Sequence, residues 1–531
     1  MYHFPRSNFK APFKIGVFTL FAVEILLISI YIYQASFFII FPADIFLWSE
    51  SDFVNDILKY RVGYPIYSAQ ENNESSIYNP GTQMLTYLLA WLLGAPTVIP
   101  LYRAIQVIYA LIASFLAVVC CRRLVEIGGS SIWFHGWRLW SMICFAFFFL
   151  VATNNITNPF IFTLHNDALA LLVSIVAFWL LVEYVSTKNG RVLALMTIIP
   201  AAGFFVKQSL LIWAPLYFAY LAIFEKPRSL SRLIKFGFFS FVMTGVVVGA
   251  CYLLWGEDYF YWILVLSKHP TSIIRSFQHL MDVWTYFAIG LLGGVLLLRR
   301  KSFNQLLGIW VIWLFLFLLE VYTSGIAWML NHVGPGSMIA GIWFVAAMTR
   351  VWPMVISHDN ERDQSRAWLK AGVGVCLMGL LFNGLGFVRV PMRPFSDDAY
   401  RYVKEIEREF VGQSPENILL DVGTWIYLRE GVVMKDRGIA FGDRGFAGIG
   451  DFSGFIYRIK QKRYSKILVR NLQSPEFIYD HWMWPKSSNI RRILLEEYYE
   501  VRKIKAVQGN NPKKGVYYFF DEISVLVPKQ K

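Results

Sequence analysis

Carboxylates crowd a short polar segment between two long apolar runs near the N-terminus. Asp44, Glu50, Asp52, Asp56, Glu71 and Glu74 outnumber Lys59 and Arg61 between residues 41 and 97. Asp52 and Asp56 are spaced four apart, which places them on one face of a helix running to about Tyr60. Glu50 precedes them, near that helix's N-terminus. A carboxylate held against a low-dielectric boundary is pushed towards a higher pKa, which suits it to take a proton from a substrate. A solvated acidic loop with a helix cap accounts for the same residues, and both readings stand at this point.

Three further segments carry groups of the same kind. Thr163, His165 and Asp167 precede an apolar run that begins at Ala168. Asp167 is placed either to cap that helix or to act as a second acid. Lys207, Gln208 and Ser209 interrupt an apolar stretch from about Val192 to Phe224. A lysine there either snorkels to the interface or offsets a lipid phosphate. Asn331 and His332 occupy another short polar break with the same two readings. Asp52, His165 and Asp167 offer ligands to a divalent metal, although no spacing among them requires one.

The elements that must position these groups are membrane helices. The chain of 531 residues is 56% hydrophobic and 16% charged, more apolar than a soluble core needs. The runs 15–40, 98–121, 138–154, 167–185, 192–206, 209–224, 236–255, 283–298, 306–322, 337–352 and 371–388 predict about eleven spans. The first is too long for a signal-peptide core and is read as retained. Residues 82–94 are apolar but short, and fit a helix lying on the outer interface. Basic residues cluster in alternate loops: Arg122, Arg123 and Arg138; Lys188 and Arg191; Lys226 to Lys235; Arg299 to Lys301; Arg350 to Lys370. The positive-inside rule puts these loops and the N-terminus in the cytoplasm. All the candidate chemical residues then face the opposite side, together with residues 389–531. The net charge of +14 is thereby read as a topology signal and as contacts to anionic lipid or phosphate, not nucleic acid.

Beyond residue 388, strand-like runs at 418–422, 466–470 and 516–520 and a helical run at 489–499 predict a small α/β domain. The glycine-rich stretch 441–450 lacks the strand-to-helix setting of a nucleotide fingerprint and reads as a loop. Cys120, Cys121, Cys144, Cys251 and Cys376 lie in or beside apolar runs and form no disulfide or zinc pattern. Sequons at Asn73 and Asn155 fall in outer loops. No internal repeat is evident, which weighs against a transporter built from inverted halves.

These pieces, in this order, resemble the polyprenyl-phosphate-sugar-dependent glycosyltransferases of the GT-C superfamily, in the group related to protein O-mannosyltransferases and aminoarabinose transferases. The resemblance covers roughly residues 15–390. It rests on the acidic loop with Gly63 to Tyr67 and Tyr78-Asn79-Pro80, on His165-Asn166-Asp167 opening the fourth span, on Lys207 to Ser209 with Pro215, and on Ser324 to His332. It implies a fold of about eleven transmembrane helices (residues 1–388) plus an extracytoplasmic α/β domain (389–531). It also implies inverting sugar transfer from a lipid-linked donor to an acceptor hydroxyl on a glycan, lipid or protein, in cell-envelope glycan synthesis at a bacterial inner membrane. The base carries over to Asp52 first and Glu50 second; this chain departs from the common form, with adjacent acids or an acid farther from the glycine, so the choice between the two stays open. Asp167, His165, Lys207, Tyr78, Asn331 and His332 carry over as substrate-binding residues. No cofactor is required, and a divalent metal is compatible but not indicated. A lipid or saccharide flippase, and a non-catalytic subunit that binds lipid-linked saccharides, are the competing readings. A reporter fused after Gly386 is expected to register an outer location; a cytoplasmic signal would invert this topology.

Overall fold

A computed structural model describes the chain apart from residues 1–10, 46–47, 68–76, 129–136, 154–159, 268–270, 299–302, 327–329, 357–396, 434–451, 471, 473–488, 508–521 and 531. The first part is a helical bundle. Helix α1 (Ala11–Ile40) leads through a polar segment to α2 (Trp48–Val62), α3 (Gly81–Leu92) and the long α4 (Ile99–Ile127). Then come α5 (Trp137–Ala152), α6 (Asp167–Thr187), α7 (Gly190–Val206), α8 (Trp213–Ile223) and α9 (Leu230–Phe260). The bundle closes with α10 (Ile273–Asp282), α11 (Trp284–Leu297), α12 (Phe303–Ser324) and α13 (Gly334–Ile356). Every apolar run expected to span falls on a helix except 371–388, which lies outside the described residues. Among the described residues, α4, α6, the run Leu230–Val265 and α12 are long and apolar enough to cross a membrane.

Local chemistry sets the breaks. Asn189 caps α7 by accepting from Arg191 N at 2.8 Å, and Ser229 caps α9. Between α7 and α8, Lys207 is fully extended (φ −154°, ψ 129°), and a short 3-10 turn follows at Gln208–Ile212. The interruption read from Lys207-Gln208-Ser209 is therefore a sharp reversal of two adjacent helices. Helix α10 meets α11 at a 68° bend. It buries Ser276 and His279 and exposes Ile273, Ile274 and Phe277, as expected of a helix lying along a bilayer surface. The short helix expected at 82–94 is α3, which exposes Leu85, Leu88 and Trp91.

The C-terminal part contains α14 (Asp397–Arg408), β1 (Ile418–Leu420), α15 (Trp425–Glu430), α16 (Ser453–Lys460), β2 (Lys466–Arg470), α17 (Ile490–Glu497), β3 (Tyr498–Ile504) and β4 (Ile523–Pro528). The sheet order is β1-β2-β4-β3. β1 pairs parallel to β2 with Leu419 opposite Ile467, and the other pairings are antiparallel. Strands β1 and β2 and helix α17 match the sequence pattern. β3 and β4 were not anticipated: β3 alternates little and is mostly exposed. The expected strand 516–520, the glycine-rich 441–450, Asn73, Asn155 and Cys376 lie outside the described residues. Cys120, Cys121, Cys144 and Cys251 are buried thiols. One apolar core runs unbroken from the bundle into the sheet, crossing where Phe41 and Tyr400 rings pack 5.2 Å apart.

A buried ion pair ties the segments before α2 and α6 to this bundle. Arg103, in the first turns of α4, is 0% exposed. Its Nε and Nη2 donate to the two oxygens of Glu50 at 2.8 and 2.7 Å. Its Nη groups also donate to the carbonyls of Phe38, Phe41 and Ala43 at 2.7–2.8 Å, so each of the five guanidinium N–H groups has an acceptor. Removing one member of such a pair strands a buried charge. Arg103→Ala is expected to lose about 3–5 kcal/mol in unfolding of the detergent-solubilised protein. A loss below about 1 kcal/mol would show that the loop is held elsewhere.

Candidate active site

The site is built on the start of α6, the ends of α7 and α12, and a 3-10 turn at Leu330–Val333. Asp167 opens α6, but its side chain does not cap the helix; Asn166 stands at that position without a side-chain cap bond. Lys207 Nζ donates to Asp167 Oδ1 at 2.7 Å, and Asn331 Nδ2 to Oδ2 at 2.7 Å. His165 Nδ1 lies 2.9 Å from the same Oδ2. Three segments distant in sequence thus converge on one carboxylate. Lys207 also sits 5.6 Å from the centre of the Tyr78 ring, within cation–π range.

Aromatic rings wall this cluster. Phe160, Phe53 and Tyr78 lie 4.5, 4.8 and 5.9 Å from His165 by ring centroid. Tyr78 is held by its backbone, since Tyr67 Oη donates to its carbonyl at 2.8 Å. Gln208 donates to Ile77 O at 2.8 Å, Tyr259 donates to Asn79 Oδ1 at 2.6 Å, and Asn79 Nδ2 donates to Phe204 O. The Tyr78-Asn79-Pro80 segment is thereby stitched to the reversal at Lys207.

Beside the cluster opens a pocket with ≈ 640 Å³ of empty space. Its polar end carries Asp167, Lys207, Asn331 and His332, and its walls include Leu171, Leu210, Ile212, Trp213 and Leu316. Glu320, near the C-terminal end of α12, also lines it. One Glu320 oxygen accepts from Gly336 N at 2.8 Å. A side chain at Gly336 would meet that oxygen at 2.5 Å, so glycine permits the approach. The arrangement offers a cation and amide donors at the mouth of an apolar-walled recess, which suits an anionic headgroup bearing a hydrocarbon chain.

The two first-loop acids differ. Glu50 has both oxygens committed to Arg103, and Oε1 also accepts from Leu164 N at 3.0 Å, just before His165. Burial raises its pKa, while Arg103 draws it down. Asp52 is buried, and the ring of its neighbour Phe53 packs on His165. Asp56 accepts from Gln83 at 3.1 Å and serves the packing of α2 on α3. The structure thus gathers His165, Asp167, Lys207, Tyr78, Asn331 and His332, and gives Glu50 to Arg103. Reading by loops passed over Arg103 and Glu320, both inside apolar runs. Their signal was present, because an ionisable residue within a span is costly and functional by default.

No protein-family model matches the sequence, and no curated protein matches it. The folded chain is similar to ArnT from Cupriavidus metallidurans bound to undecaprenyl phosphate, with a TM-score of 0.56 at 12% identity over 96% of this chain and 98% of that one. The apo state of the same protein gives 0.55 at 11% identity, over 97% and 98%. The Archaeoglobus fulgidus oligosaccharyltransferase in its apo form gives 0.52 at 9% identity, over 99% of this chain and 77% of that one. The chain has the GT-C glycosyltransferase fold. At these identities the likeness is one of fold, and the roles of the residues rest on their geometry.

The imidazoles of this cluster are held neutral. Burial lowers the pKa of His165 against the pull of Asp167, and burial with the Lys207 cation pushes His332 down to about 3. Histidine in the unfolded chain titrates near 6.5, so between 6.5 and about 3 the unfolded state binds the extra proton. Stability from the neutral rings is complete above pH 6.5 and drains away as pH falls. Melting temperature is expected to drop from pH 7 to 4, with a shallower slope in His332→Gln; equal slopes would show that His332 does not contribute.

Proposed function

We propose that the protein is an integral membrane glycosyltransferase that moves a sugar from a polyprenyl-phosphate donor to an acceptor hydroxyl. The observation that carries this reading is Lys207, whose Nζ donates to Asp167 Oδ1 while Asn331 holds the other Asp167 oxygen, all three lining one apolar-walled pocket. A headgroup phosphate placed there meets a lysine ammonium in a low-dielectric setting, and its chain has a nonpolar route into the bundle. The undecaprenyl phosphate named with the similar ArnT supports a lipid of this class.

Asp52 takes the proton of the acceptor hydroxyl, whose oxygen attacks the anomeric carbon. The bond to the phosphate oxygen breaks with its electron pair, leaving polyprenyl phosphate and inverting the sugar. Lys207 offsets the charge that grows on the phosphate, an interaction stronger in the transition state than before it. Asp167 orients Lys207 and shares its charge. Glu50 supports the loop through Arg103, so Asp52 is favoured as base. The reading invokes no metal. About eleven spans, a cytoplasmic N-terminus, an outer site, an extracytoplasmic α/β domain and a bacterial inner membrane belong to the same proposal.

In membranes supplied with donor, Asp52→Asn is expected to lose about 10²–10⁴-fold in transfer, the usual worth of a positioned base. Full transfer by Asp52→Asn would end its assignment. Lys207→Met is expected to weaken undecaprenyl phosphate binding and to cut transfer by at least about 10²-fold. Transfer unchanged by a chelator agrees with the metal-free step; loss restored by a divalent cation overturns it.

A further inference from the structure

Ser51, the neighbour of Asp52, is gripped from the C-terminal part of the chain. Thr424 Oγ1 donates to Ser51 O at 3.1 Å and lies 3.1 Å from Ser51 Oγ. A threonine hydroxyl has one proton, so in this arrangement Ser51 Oγ donates back to Thr424 Oγ1. The two hydroxyls and one carbonyl form a closed set in a buried setting. Beside it, Asp44 accepts from Thr424 N through both oxygens at 2.9 Å and from Trp425 N at 3.0 Å. A side chain at Gly423 would meet Asp44 Oδ1 at 2.8 Å and the Trp425 ring at 2.6 Å, so only glycine lets the strands of chain come this close. At the far end of α2, Arg61 Nη1 donates to Leu428 O at 2.5 Å. The turn after β1 and helix α15 therefore hold α2 at both ends.

We propose that this contact is a clamp that sets the direction of the Asp52 carboxylate, with Thr424 as its positioning residue; the proposal rests on Asp52 being the base. Simple docking of two surfaces would be served by apolar packing. Here buried polar groups bond to the backbone carbonyl one residue before Asp52 and to the segment entering α2. Holding that carbonyl fixes the rotation of the first turn of α2, and hence the direction of the side chain that follows. A displacement of about 1 Å at a reacting group costs on the order of 10²-fold in rate. The donor pocket takes no residue from 421–428. Loosening the clamp therefore slows turnover and leaves donor binding alone.

The test uses the full-length protein in membranes, with undecaprenyl phosphate as the binding probe and a polyprenyl-phosphate sugar used by the wild type as donor. Thr424→Val removes the hydroxyl at constant shape. It is expected to lower kcat about 10- to 100-fold, with donor KM and undecaprenyl phosphate affinity within twofold of wild type. Thr424→Ser, which keeps the hydroxyl, is expected to restore most of kcat. If Thr424→Val does not accumulate as folded protein, Asp44→Asn is read by the same split. A kcat within twofold of wild type, or loss of kcat and donor affinity together, overturns the clamp while Asp52→Asn is inactive. Full transfer by Asp52→Asn instead removes the base assignment, and the clamp with it.

Discussion

The placement of the segments that flank α2 and α6 depends on one buried guanidinium. Arg103 enters an apolar bundle with five donors to satisfy, and a first-loop carboxylate and three carbonyls at the end of α1 supply them. Such a pair adds little net stability over an apolar replacement, because both charges were drawn from water. What it contributes is uniqueness. Glu50 meets Arg103 with both oxygens in one geometry and also receives Leu164 N. The start of α2, the end of α1 and the loop before α6 are thereby fixed relative to one another. Asp52 follows two residues after Glu50, and His165 one residue after Leu164, so their spacing is inherited from that pair.

The site above it is a balanced set of charges in a confined space. Lys207 and Asp167 cancel, and His165 and His332 remain neutral through burial. For the phosphate proposed above, Lys207 is the one lysine or arginine among the described residues that line the pocket. The reversal between α7 and α8 makes this lysine available, since a continuous helix would bury residue 207 against apolar neighbours. Glu320 extends the polar lining one step into α12, where its bond to Gly336 N fixes the start of α13.

Much of this was legible in the sequence, for reasons that differ by residue. Helix positions followed from apolar length, and the Lys207 break followed from a charge where no span tolerates one. The shared face of His165, Asp167, Lys207 and Asn331 followed from the alternation of basic loops. Their convergence on a single carboxylate did not, because distances between loops are set by helix packing that no local pattern encodes. Telling the surroundings of Glu50 from those of Asp52 also needed the fold: both are first-loop acids, and Arg103 takes both oxygens of Glu50. In the C-terminal part, β1 and β2 declared themselves as buried apolar runs. β3 did not, since an exposed edge strand such as Tyr498–Ile504 carries charges where a buried one carries valines.

The grip of Thr424 on Ser51 has a consequence for the order in which the molecule is made. The two residues are separated by 373 positions. At about 5–20 residues per second, synthesis places Thr424 on the scene roughly 20 to 75 s after Ser51. During that interval the helices before it can enter the bilayer and pack, while the first turn of α2 lacks its outer restraint. The helical part can thus be packed before this restraint on α2 exists, and the restraint is added only with the final fifth of the chain.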